Sequence, residues 1–178
     1  MNMNAMLLAA VTAGFQPQTY AVHASLPRGE AVAATVRVND PGDATIALDG
    51  RAAVPVKLAP GATRPDRSLA PVLEILSTSE AIVQAANRGK SRTQVTFGPQ
   101  RTCVDLSIST YGNTVVATGT ASLPPPPPPA QGAGNANVTI RIVATLDHRQ
   151  LASAHGEVGP AANARGPHFT WSLTRTGE

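Results

Sequence analysis

The chain has 178 residues, 42% of them hydrophobic but only 3% aromatic and 14% charged, with a formal net charge of +3. That length is one ordinary domain with a core of its own, and the share of charge is about half that of a typical soluble domain. The two Lys and twelve Arg are mostly scattered rather than concentrated as in a nucleic-acid binder, and the lone Cys103 excludes an intramolecular disulfide and any CxxC or Cys/His metal spacing. So little charge suits an exterior that other protein covers, because a free monomer normally depends on charged residues for solubility.

The first segment, "AMLLAAVTAGF" (Ala5 to Phe15), is an apolar run of signal-peptide length, and Val22 and Ala24 fit the small-residue rule for cleavage. No Lys or Arg precedes Arg28, so the basic start of a signal is missing. Residues 1–24 therefore read as a retained apolar arm, too short to span a membrane, and residues 25–178 as a single β domain. An uncharged apolar arm needs a partner, which makes Met6, Leu7, Leu8 and Phe15 candidate subunit contacts.

After Pro27 the pattern turns to period two. "AVAATVRV" sets Val32, Ala34, Val36 and Val38 on one face, as a half-buried strand requires. "NDPGD" is a turn, and "ATIAL" and "AAVPVKL" are joined through Asp49-Gly50 as a hairpin. Pro55 demotes the second of these runs to an edge strand or a bulge, because it donates nothing to a ladder. Between residues 69 and 88 the spacing of Leu69, Val72, Leu73 and Leu76 is helical, and "STSE" (Ser77 to Glu80) has the form of a capping box before "AIVQAANRG". One or two short helices are expected, with Gly89 as the stop and a strand at "VLEIL" as the competing reading.

From Arg92 onward β patterning returns in "TQVTF", "TCVDLSIST" and "NTVVATGTA", with Val104, Leu106 and Ile108 opposed to Asp105, Ser107 and Ser109. Next comes "SLPPPPPPAQGAGNAN" (Ser122 to Asn137). Six prolines cannot join a sheet and favour a stiff polyproline II rod, so residues 122–137 read as a long projecting loop. Pro124, Pro125, Pro126, Pro127, Pro128 and Pro129 are candidate subunit contacts, since a preordered rod loses little entropy on docking. "NVTIRIVATL" and "HFTWSLT" supply the last strands. The expected fold is mainly β, an antiparallel sandwich, jelly roll or Greek-key barrel of about eight strands. Its core is expected on the faces carrying Val36, Leu48, Leu106, Ile140 and Ile142.

Chemistry is sparse. His23, His148, His155 and His168 stand without HxH, HExxH or paired-carboxylate spacing and read as structural or surface residues. Cys103 reads as a small buried hydrophobe and Trp171 as a core anchor. "QGAGN" lacks the Lys-Ser/Thr of a phosphate loop. Arg88, Lys90, Arg92 and Arg101, in a stretch without acids, could contact phosphate or a protein partner, but no interleaved aromatics support single-strand binding.

No catalytic site, cofactor or metal is implied. The reading is a structural subunit of a large assembly such as a bacteriophage or virus particle, in a capsid, decoration or tail-associated role. It would reside in the virion and contact copies of itself and other subunits, with nucleic acid weakly supported. The alternative is an exported β-sandwich binding or adhesion module, periplasmic or secreted, with residues 1–24 as its signal.

Overall fold

The computed structural model describes residues 16–26, 29–40, 42–58, 68–97, 101–124, 134–161 and 168–177. Ten antiparallel strands and one helix account for most of them. Strands β1 (Gln18–Ser25), β2 (Ala31–Asp40), β3 (Asp43–Leu48) and β4 (Val54–Lys57) form one meander. Helix α1 (Ala70–Asn87) follows, and then a second meander of β5 (Arg92–Phe97), β6 (Thr102–Tyr111), β7 (Thr114–Leu123), β8 (Ala136–Asp147), β9 (Gln150–Pro160) and β10 (Phe169–Gly177). Pairing of β1 with β10 fuses the two into a single sheet of order β4-β3-β2-β1-β10-β9-β8-β7-β6-β5. This order consists of sequential neighbours plus one closing pair. It lacks the strand exchanges expected of a Greek key or jelly roll.

The two strands beyond the expected eight are β1 and β9. Gln18–Ala24, assigned above to the arm, forms β1 between β2 and β10, with Tyr20, Val22 and Ala24 turned inward. Strand β9 was concealed by its small residues: Ala154, Gly156 and Val158 alternate inward but give a weak hydrophobic signal. The projecting loop is shorter than its sequence bounds, because Ser122 and Leu123 still pair with Asn137 and Ala136. Pro55 does lie in the four-residue edge strand β4, where Lys57 bonds Asp43 at 2.5 Å. A short edge bearing Pro and Lys resists pairing with other chains.

Helix α1 is one continuous element of 18 residues. The expected capping box at Ser77 is absent because its hydroxyls turn back into the helix, Ser77 Oγ to the Glu74 carbonyl at 3.2 Å and Ser79 Oγ to that of Ile75 at 2.7 Å. Mid-helix Ser satisfies itself in this way without ending the helix. The end comes at Gly89, with φ +67. The Lys90 N–H bonds the Ala85 carbonyl and the Gly89 N–H that of Ala86, which together make a Schellman motif.

Each strand buries alternate residues, and the inner sheet face and α1 share one hydrophobic core. Val36, Leu106, Ile140 and Ile142 are fully or nearly fully buried there, and Leu48 packs partly buried against them. The helix lies against β5 through β10. Its C-terminal end is fastened to the β8–β9 turn, where Asn87 Nδ2 donates to the Arg149 carbonyl at 2.7 Å and Arg149 Nη2 donates to the Asn87 carbonyl at 2.8 Å. That turn has positive φ at both His148 (+50) and Arg149 (+67). Positive φ suits the twist of a two-residue hairpin but costs a non-glycine residue about 1 kcal/mol or more, and the two bonds to α1 offset it.

Trp171, 2% exposed, stands directly across from Gly156 on the inner face, and its ring occupies the space a Gly156 side chain would need. Gly156→Ala is therefore expected to lower stability by about 2–3 kcal/mol through overpacking, read as a reduced urea midpoint with unchanged slope. An unaltered midpoint would show that the ring can move aside.

Candidate functional site

With apolar side chains on the inner face, what the molecule presents to others is largely the outer sheet face. Two adjacent cross-strand rows run over it. One joins Ala47, Thr35, Ala21, Thr174, Ser153, Thr145 and Thr114, from β3 to β7 through β10. The other joins Ala33, His23, Ser172, His155, Val143, Val116 and Ser109, from β2 to β6. Each crosses seven strands, about 30 Å. Neither contains an Asp, Glu, Lys or Arg. His23 and His155 flank Ser172 in the second row, beside a shallow hollow also lined by Asp49.

The next row is charged at its centre, with Arg141 opposite Glu157 and Arg92 opposite Ser107 at its end. Glu157 also accepts from His168 at 3.1 Å. At the far corner Arg175 donates to Asp147 at 2.5 Å, and this hydrogen bond holds the Asp147 carboxyl below its ordinary range.

The four basic residues singled out in the sequence are all exposed. Arg88 and Lys90 follow α1, and Arg92 opens β5 at the same end. Arg101 sits beyond the far end of β5, where Phe97 pairs with Thr102, about 17 Å along the strand. The fold thus gathers three of them and sets the fourth apart. Pro124 directly follows β7. Met6, Leu7, Leu8, Phe15 and Pro125 to Pro129 lie outside the described residues.

Cys103 is exposed, not buried as its type suggests. Parity decides this: it shares the outward face of β6 with Asp105 and Ser107, while Val104, Leu106 and Ile108 point in. It lines an outer groove of about 860 Å³ with Asp105, Thr118, Thr120 and Arg141. A thiol reagent should titrate about one thiol in the native protein without denaturant; reactivity appearing only after unfolding would contradict the outward placement.

On α1, the half-buried Glu80 has its carboxyl raised above the usual range by desolvation. The Tyr20 phenol is pushed up to about 12, first by burial and then by the Glu80 charge, with Arg175 acting in the opposite sense. A carboxyl whose folded pKa is raised binds its proton more tightly folded than unfolded, so stability falls as pH rises through the interval above the ordinary glutamate value. Glu80→Gln should be more stable than the parent at neutral pH and should flatten that slope in denaturation curves from pH 4 to 8. A Glu80→Gln curve with the same slope as the parent would contradict the desolvation of this carboxyl.

Among the described residues, no group of three His, Cys, Asp or Glu side chains is placed to hold a metal ion. No described helix is long and apolar enough to cross a membrane. No protein-family model, curated protein or solved structure matches the chain.

Proposed function

We propose that the protein is a structural subunit of a larger assembly, such as a bacteriophage or virus particle, in a capsid, decoration or tail-associated role. The observation that carries this reading is the pair of uncharged rows, each seven strands long, on the outer face. Small hydroxyl and methyl side chains let a second protein surface approach closely, and no ion there has to be desolvated on contact. The low overall charge agrees with it.

In this reading the outer face meets neighbouring subunits. The apolar residues Met6, Leu7, Leu8 and Phe15 and the prolines from Pro124 to Pro129 reach further ones. Arg88, Lys90 and Arg92 form the side available to an acidic partner surface or a phosphate chain.

Sedimentation of the full chain tests it. The parent is expected as a multi-copy species, and charges set into the rows, as Ser172→Asp with Thr145→Lys, should return it to a monomer of 18.3 kDa with its strand circular-dichroism signal intact. A parent that stays monomeric at all concentrations, or a variant that assembles as the parent does, would overturn the proposal.

A further inference from the structure

Among the described residues the sheet parts at two internal positions, between β9 and β10 beyond Ser153/Thr174 and, over a longer stretch, between β6 and β7. Strands β6 and β7 pair from Tyr111/Thr114 only as far as Ser107/Thr118. Beyond that point Thr102 to Leu106 pair only with β5, and Gly119 to Leu123 pair only with β8. Gly119 marks the divergence. Its missing side chain leaves room for the Asp105 carbonyl oxygen and the Leu106 side chain, which come within 2.7 and 2.8 Å of where a Cβ would stand. Any other residue there would push β6 away. The separation opens the groove of about 860 Å³ on the outer face and, among the described residues, leaves the β7 edge from Gly119 to Leu123 without a ladder partner.

We propose that this edge pairs with the same edge of a second copy, antiparallel about a two-fold axis at Ala121. Three observations select that occupant. An antiparallel pair of identical strands is generated by two-fold symmetry, so one surface supplies both halves of the contact. The segment "GTASL" has no charge, no proline and no bulge, the devices that keep an edge unpaired; β4, at one true end of the sheet, has Pro55 and Lys57 and only four residues. The groove walls hold one acid and one base, Asp105 and Arg141, so a second copy enters without net like charge.

The register follows from the symmetry. Ala121 faces Ala121 of the second copy, and Thr120 faces Ser122 of the second copy, a hydroxyl pair favourable across antiparallel strands. Pro124, which has no N–H, closes the segment at five residues.

This inference rests on the assembly reading only in that it names a partner and a strand for it. The test uses the full chain with Cys103→Ala. Ala121→Cys should oxidise to a disulfide-linked dimer in dilute solution, because directly opposed Cα atoms of an antiparallel pair lie about 4.5–5.5 Å apart, within the span of a disulfide. The exposed control Thr96→Cys should remain monomeric under the same oxidation. Adding Thr120→Lys and Ser122→Lys, both at exposed positions, should slow the Ala121→Cys cross-link more than about tenfold through like-charge opposition. Cross-linking no faster than in the control, or unaffected by the two lysines, would overturn the edge pairing. Larger species that form although Ala121→Cys cross-links no faster than the control would remove this pairing and leave the assembly reading in place. A cross-linked dimer that never grows further would keep the pairing and remove the assembly reading.

Discussion

Covering one face of a very wide sheet is the constraint from which the rest of this structure follows. Ten strands at about 4.8 Å spacing make a surface about 43 Å wide, whereas an 18-residue helix is about 27 Å long. Lying flat, such a sheet would leave much of its apolar side in water, at about 25 cal/mol for each Å² left exposed. The sheet and the helix instead share one core, in which Val22, Val36, Ile46, Leu106 and Leu173 are completely buried. Small inner residues allow close approach: Gly156 accommodates the Trp171 ring, and Gly119 admits the Asp105 carbonyl and the Leu106 side chain of β6. A chain so poor in aromatics can fill its interior because this one tryptophan stands over a glycine.

The helix is anchored at both levels of structure. Its apolar stripe, including Val72, Leu76 and Ile82, joins the core. Its C-terminus is tied to the β8–β9 turn by the reciprocal Asn87 and Arg149 bonds. The turn needs that tie, because His148 and Arg149 hold a conformation that glycine or asparagine would adopt at less cost. In return it locates the end of α1, and Gly89 then directs the chain into β5. Local strain and long-range packing stabilise one another here.

The outer face has the opposite character. Its central rows carry small, uncharged residues, and its charge, including Arg37, Asp105, Arg141 and Glu157, lies in the rows to either side. Such a surface suits the contact with other subunits proposed above. The gap between β6 and β7 adds an edge to that face, and the segment before Pro124 has none of the features that blunt β4. Broad contact through side chains and narrow contact through backbone would then be separate properties of one exterior.

Much of the fold was legible in the chain itself. Period-two runs located eight strands, helical spacing located α1, Gly89 its end, and Pro55 an edge, because each depends on backbone geometry that neighbouring residues impose. Cys103 was misread as buried from its residue type, although it shares the outward face of β6 with Asp105 and Ser107. Other features were decided only by tertiary structure. Gln18 to Ala24 looked like the end of an apolar arm until β2 and β10 flanked it, and the weakly patterned β9 is held by the neighbours that pair with it on both sides. Ser77 could cap a helix or sit inside one, and the packing of Val72, Ile75 and Leu76 into the core settled which. The outer rows, the gap at Gly119 and the separation of Arg101 from Arg92 depend on register between strands distant in sequence. Hydrophobic periodicity specifies which face of a strand is buried but not which strand lies beside it.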